Sequence, residues 1–467
     1  MVFSSETFLF AFLPLVLAGY FALYRSLSAR NAFLCAASLL FYAWGEPFVV
    51  FVMMASIAVN WAMARALERR RSAALLAAAV GFNVLMLVVF KYLGFFVANV
   101  NAFSGLRLPV PDIRLPIGIS FFTFQALSYV VDVYRGVVAA QRSLLKVGLY
   151  ISLFPQLIAG PIVRYATIAA QIDERKTGLS DLVQGSRRFV VGLAKKVLLA
   201  DRLAELADVY FNSHADMFPS FPAAGLWLGA LAYSFQILFD FSGYSDMAIG
   251  LGRIFGFRFE ENFNRPYSAT SITDFWRRWH MSLSGWFRDY VYIPLGGNRV
   301  SKPRLLLNLL VVWSLTGLWH GANWTFVAWG LGYFLLLAAE KFVDRSGWPK
   351  LLSALARPYT LLCVVLLWVV FRSESLSFAC VYLKGMFCLN GNRLADGTTA
   401  SLLREFGIWF AIAAFACFGW KHVHERLVQK SGLGWIVAKE ACWVLLLLLA
   451  LSSVANSSYS PFIYFNF

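Results

Sequence analysis

Apolar residues in this chain come in long runs broken by short polar punctuation, unlike the scattered pattern of a water-soluble core. A run of about 20 residues crosses a bilayer as a helix. Roughly ten such runs can be traced, which predicts an all-α polytopic membrane protein. Basic residues between the runs set their direction, because lysine and arginine stay on the cytoplasmic side. The first run, 7–24, is preceded by Glu6 and followed by Arg25 and Arg30. It reads as a retained helix with its N-terminus outside, since a cleaved signal peptide has the opposite flank. The chain then rises through 31–44, turns at Gly45-Glu46-Pro47, and returns through 48–66 to the cytoplasmic cluster Glu68-Arg69-Arg70-Arg71. The run 73–100 leads outward, and 115–134 leads back to Arg135, Arg142 and Lys146.

Two stretches depart from this alternation. Residues 147–163 are apolar but carry Pro155, Gly160 and Pro161, with basic residues on both flanks. A full crossing would put one basic cluster outside, so a re-entrant segment fits better, and such backbone is tolerated only when buried in protein or lining a cavity. Residues 186–211 are amphipathic, as an interfacial helix or a tilted crossing would be. A long run, 223–255, contains Asp240 and Asp246, and leads into the most polar stretch of the chain. That stretch, 253–304, holds nine basic and four acidic residues among many aromatics and is expected to face the cytoplasm. Further runs follow at 305–319, 324–339, 359–371, 406–420 and 436–454. The intervening charges place 341–357 and 421–430 inside, and 376–402 and the tail 457–467 outside. With no internal repeat, 1–467 reads as a single membrane domain; inverted repeats would have suggested a transporter.

Composition agrees. Of 467 residues, 60% are hydrophobic and 14% charged, and the mean hydropathy is +0.65, outside the range of soluble chains. The net charge of +16 would suggest nucleic acid in a soluble protein, but here it follows from cytoplasmic loops that set topology. The six cysteines show no metal-like spacing. Cys380 and Cys388 would pair only if their loop were oxidised, and no disulfide framework follows.

Of the five histidines, His214, His422 and His424 lie in polar or basic loops and read as solvated. His320 sits between two apolar runs, in Gly317-Leu318-Trp319-His320-Gly321-Ala322-Asn323-Trp324. The run before it has only about 15 residues, so the turn carrying His320 would lie at depth. An ionisable residue there suggests a functional site, although a histidine satisfied in a helix–helix contact is the plainer reading. Gly317 and Gly321 permit close backbone approach. Trp319 and Trp324 would wall a pocket, and Asn323 would orient the imidazole or donate to a developing oxyanion. His280 closes Asp274-Phe275-Trp276-Arg277-Arg278-Trp279-His280, a cluster whose plainer reading is an interfacial anchor. Metal binding by the two histidines lacks a third ligand at a fitting spacing.

Several motifs, in order, resemble the membrane-bound O-acyltransferase family, and within it the bacterial alginate O-acetyltransferase branch. They are Asp240-Phe241-Ser242-Gly243-Tyr244-Ser245-Asp246, the Phe275–His280 stretch with Arg288-Asp289-Tyr290, Leu295-Gly296-Gly297-Asn298-Arg299, and Gly317–Trp324. The resemblance extends from the opening Met1-Val2-Phe3-Ser4-Ser5 to the closing Ser460-Pro461-Phe462-Ile463-Tyr464-Phe465. It implies a ring of about ten or more tilted transmembrane helices, with re-entrant segments, around a thin centre. It places the family's membrane histidine on His320 and the branch's second histidine on His280; the residues themselves suggest Asn323, Trp319 and Asp240 in support. Where relatives often carry another histidine, after the Trp-Gly of the following helix, this chain has Tyr333.

The resemblance further implies acetyl-CoA as a cytoplasmic acyl donor that is a substrate and not a bound cofactor. Extracytoplasmic acetyltransferase or esterase-like partners would pass the group to a polysaccharide, alginate first, with peptidoglycan, cellulose or another exopolysaccharide behind it. His320 would act as general base on a hydroxyl, and His280 would polarise the thioester or position the donor. The aromatic tail is either an interfacial anchor or a relay in which the Tyr464 hydroxyl takes the acyl group. A transporter or flippase lined by Asp240, Asp246 and His320 is the rival from another class.

Overall fold

The computed structural model describes residues 1–343, 350–419 and 432–456, and every regular element among them is helical. Among the described residues, seven helices are long and apolar enough to cross a membrane: Val49–Arg69, Ala73–Ser104, Ala223–Ile254, Trp324–Phe342, Ala354–Arg372, Gly397–Gly419 and Gly434–Asn456. The chain is therefore an all-α, multi-pass membrane protein. Other expected runs are helical but shorter or more polar. Thr7–Ala22 and the 17-residue Ile119–Arg135 fall short in length. Leu27–Gly45 carries Arg30 and Asn31, and Lys302–His320 carries Lys302, Arg304, Asn308 and His320. The region 376–402, expected as a loop, contains the helix Leu376–Met386. Cys380 and Cys388 are both free and exposed.

The backbone forms two compact units. One comprises Met1–Leu193 with Tyr244–Glu261. In it Phe3, Phe8, Phe12, Phe41 and Phe154 pack ring against ring, and Phe3 stacks on Tyr244 at 4.5 Å. Helices Val49–Arg69 and Ala73–Leu87 are joined by a reciprocal amide pair. Asn60 Nδ2 donates to Asn83 Oδ1 at 3.1 Å, and Asn83 Nδ2 donates to Asn60 Oδ1 at 2.7 Å, with both side chains fully buried. Lipid offers no alternative partners, so such a pair holds helices together.

The stretch expected to be re-entrant is broken into Leu144–Ser152 and Phe154–Leu157, followed by non-helical backbone. Every residue from 147 to 163 is buried. Its polar groups are met from within the unit: Phe154 N donates to Ser38 Oγ at 3.1 Å, and the Tyr150 hydroxyl donates to the Val163 carbonyl at 3.0 Å. Gly160 makes the turn, since a Cβ there would lie 2.6 Å from Gln156 Cα.

The second unit comprises Ala194–Gly243 with Asn262–Asn456. The amphipathic stretch near residue 200 is helical, with a π-helical turn at Lys195–Ala200 leading into Asp201–Phe211. Helices Lys302–His320 and Trp324–Phe342 form a hairpin in backbone contact. A Cβ on Gly317 would lie 2.4 Å from the Phe326 carbonyl oxygen, and one on Gly330 would lie 2.4 Å from that of Trp313. The hairpin follows the Gly296-Gly297 turn, where both glycines have positive φ and Asn308 Nδ2 donates to the Leu295 and Gly297 carbonyls at 3.2 and 3.1 Å.

Candidate active site

Phe275, Trp276 and Trp279 are buried while Arg277 is exposed, so the aromatic rings of the motif, and not its arginines, are interior to the unit. The helix Ile272–Trp276 carrying it starts at Ser271, whose side chain accepts from Asp274 N. Its free N–H groups are met by a carboxylate from the hairpin. Glu340 accepts from Ile272 N at 2.8 Å, from Thr273 N at 2.9 Å and from Thr273 Oγ1 at 2.8 Å. This fixes the start of the segment that ends on His280.

His280 is fully buried and has φ 43° and ψ 55°, a left-handed conformation uncommon outside glycine. Asn262 secures it. The Asn262 carbonyl accepts from Met281 N at 2.9 Å, and its Oδ1 accepts from Ser282 Oγ at 2.8 Å and Ser282 N at 3.3 Å. His280 Nδ1 faces the same Oδ1 at 3.0 Å. A backbone N–H only donates, so the amide atom it meets is the oxygen. His280 Nδ1 must then carry a proton, which leaves the lone pair on Nε2. Burial pushes the His280 imidazole down to about 3, so it is neutral near neutral pH. With its lone pair on Nε2, a neutral imidazole accepts a hydrogen bond there, which suits the positioning role expected for His280.

The structure brings the two histidines to one indole. The Trp319 ring centroid lies 5.9 Å from that of His280 and 5.0 Å from that of His320. His320 ends the helix Lys302–His320, is 4% exposed, and meets Trp329 at 5.0 Å and Phe371 at 5.1 Å, both edge-on. Gly321 lets the chain turn here, because a Cβ would lie 2.1 Å from the Phe326 ring.

The supporting residues divide. Trp319 is buried and neighbours both imidazoles, but Trp324 is 47% exposed and does not wall them. Asn323 caps Trp324–Phe342, accepting from Thr325 N at 3.1 Å, and donates to the Glu374 carbonyl at 2.9 Å. It is engaged at the helix end and does not orient the imidazole. Asp240 is buried with Lys196, whose Nζ lies 3.1 Å from Asp240 Oδ1 and 2.6 Å from Asp201 Oδ1. Burial works against the Lys196 charge, but the two carboxylates outweigh it and raise its pKa. The next residue, Phe241, packs edge-on against His280 at 4.7 Å. Asp246 belongs to the other unit, where it pairs with Arg188 at 2.6 Å.

Tyr333 is fully buried among Trp276, Trp313 and Trp329, at 5.0, 5.3 and 5.1 Å. His214 is exposed, as expected. His422, His424 and Tyr464 lie outside the described residues. No group of three metal-ligating side chains occurs among the described residues. Asn262 and Glu340 escaped sequence reading, since neither stands in a recognisable spacing to the residues it holds.

Residues 137–371, which include His280, His320, Asp240 and Asn262, match the membrane-bound O-acyltransferase family. A Pseudomonas putida protein described as "probable alginate O-acetylase" is 39% identical, with all of both chains covered. One of the same description from Pseudomonas syringae is 41% identical over 92% of this chain and 84% of its own. A Helicobacter pylori peptidoglycan O-acetyltransferase is 34% identical over all of this chain and 98% of its own. With its two buried histidines inside the matched segment, the chain belongs to the membrane-bound O-acyltransferase family, close to bacterial alginate O-acetylases, and is an O-acyltransferase.

Proposed function

We propose that the protein takes an acetyl group from cytoplasmic acetyl-CoA and passes it across the inner membrane for O-acetylation of an extracytoplasmic polysaccharide. The single observation that carries the chemistry is the pair of buried imidazoles that both neighbour the Trp319 ring. His320 takes the proton of the acceptor hydroxyl, and the oxygen attacks the thioester carbonyl carbon. The carbon–sulfur bond breaks and the thiol leaves with a proton. His280, with its lone pair on Nε2, accepts a hydrogen bond from donor or acceptor and positions it. Lys196 and Asp240 support that wall through Phe241. Burial keeps water from the acyl group.

Alginate is the favoured acceptor, because full-length relatives carry that description at 39% identity; peptidoglycan is supported at 34%, with cellulose or another exopolysaccharide further behind. Transfer through extracytoplasmic esterase-like partners, a tilted-helix ring with a thin centre, a cytoplasmic face for 253–304 and a single membrane domain belong to the same proposal. So does the choice for Tyr464 between anchor and relay, which a Tyr464→Phe protein with full activity would decide for the anchor. The transporter reading has no observation in its favour, since Asp240 and Asp246 are each held in an ion pair.

The test follows radiolabelled acetyl-CoA with the detergent-purified protein and its neighbouring partner, beside His320→Ala. Thioester consumption that vanishes in a folded His320→Ala protein supports the mechanism. Equal consumption by both would remove His320 from it.

A further inference from the structure

In the unit Met1–Leu193 with Tyr244–Glu261, the guanidinium groups of Arg30 and Arg175 meet at one tyrosine hydroxyl, and among the described residues no carboxylate pairs with either. Arg175 follows the helix Tyr165–Glu174 and is 6% exposed. Its Nε donates to the Tyr20 hydroxyl at 3.2 Å and to the Phe255 carbonyl at 3.0 Å. Its Nη1 donates to the Gln171 and Ile172 carbonyls, each at 3.4 Å. Arg30, half-buried on the helix Leu27–Gly45, donates from Nη1 to the same Tyr20 hydroxyl at 3.4 Å. Aromatic faces wall the pair: the Arg30 guanidinium lies 5.2 Å from the Tyr20 centroid, and that of Arg175 lies 4.3 Å from the Phe257 centroid.

Helix capping explains part of this. Arg175 points Nε and Nη1 at carbonyls that end two helices, where a cation is favoured. Capping does not account for Arg175 Nη2 or Arg30 Nε, which are buried and make no hydrogen bond. Nor does it explain why a second cation stands against the first. Besides the Tyr20 phenol, the group that acts on Arg175 is the cationic Arg30, and no carboxylate is among its electrostatic partners. A buried cation with a second, half-buried cation against it calls for a counter-charge. A group with several anionic oxygens would satisfy both, and phosphate matches the guanidinium fork. Arg30 is the more exposed of the two and Arg175 the more buried.

We propose that Arg30 and Arg175 form a binding site for a phosphate group, carried by an anionic phospholipid or by a soluble phosphate ester. The site stands independently of the acyl-transfer mechanism.

The experiment uses the full chain in detergent and measures the binding of two probes by calorimetry. One is inorganic pyrophosphate; the other is phosphatidylglycerol in mixed micelles, with phosphatidylcholine as its control. At least one probe should bind the wild type and weaken about tenfold or more in Arg30→Gln, consistent with loss of a bidentate contact. A pyrophosphate response identifies a soluble ester, and a phosphatidylglycerol response identifies a lipid. Arg175→Lys, which keeps the charge and loses the fork, should weaken binding less. Arg175 also caps helices, so Arg30→Gln decides, with its probe-free melting temperature checked against wild type. If neither probe binds the wild type, or both bind Arg30→Gln as tightly, the site does not exist.

Discussion

Holding a histidine in left-handed backbone, as at His280 with φ 43°, costs about 1–2 kcal/mol, and Asn262 offsets this with contacts that also set the proton. Replacing Asn262 by Asp puts a carboxylate against Nδ1–H and stabilises the imidazolium. The acid limb of the activity profile should therefore move to higher pH in Asn262→Asp, and an unmoved limb in an active protein would overturn the tautomer assignment. Acid stability gives a second expectation. The folded His280 value, about 3, lies below the ordinary histidine value, so below pH ~6.5 the unfolded chain binds a proton that the folded one does not. Stability from this group is full above that pH and falls by about 1.4 kcal/mol per unit as pH drops toward 3. The melting temperature of His280→Gln should decline less than that of wild type between pH 7.5 and 5, and parallel declines would contradict it. Both histidines were legible in the sequence, because a charged or aromatic motif surrounds each. Asn262 was not, since it meets His280, 18 positions further on, only when the segment between them closes back on itself.

Among the helices, backbone contact decides what can change. Gly317 and Gly330 face carbonyl oxygens 2.4 Å from a would-be Cβ, whereas Gly407, also helical, has nothing within 4 Å. Alanine at either of the first two should force the hairpin apart and cost about 1–3 kcal/mol; at Gly407 it should be neutral or stabilise by up to about 1 kcal/mol. Thermal unfolding of the three variants checks this, and equal behaviour would refute close packing as the role of the glycines. Sequence reading identified Gly317 and Gly321 as contact residues from their place beside His320. It set Trp319 and Trp324 on equal footing, yet one is buried and the other 47% exposed. The turn at Gly321 separates them onto different helices, and helix phase, not proximity in sequence, chooses which faces inward. Likewise 147–163 was legible as irregular and buried because Pro155, Gly160 and Pro161 cannot continue a crossing helix, whereas its partners Ser38 and Gln125 lie far off in the chain.

Over the molecule as a whole, hydropathy found the lipid-facing helices most readily. It gave no sign that Ile119–Arg135 is buried along nearly all its length, because apolar residues face both protein and lipid. Charge placement puts 376–402 outside, and the exposed native Cys388 tests that. In a variant keeping Cys388 as its sole cysteine, an impermeant maleimide should label intact cells. Labelling only after the membrane is opened would invert the topology assigned to the C-terminal third. The closure at Asn262 has a consequence of a different kind for how the enzyme responds to damage. The bonds that fix the imidazole proton are the same ones that shut the loop, so a loop left ajar yields a molecule with an ordinary, titrating histidine. Partial loosening then removes molecules from the working population and leaves the others at full speed: an injured preparation shows fewer active sites with unchanged turnover in each.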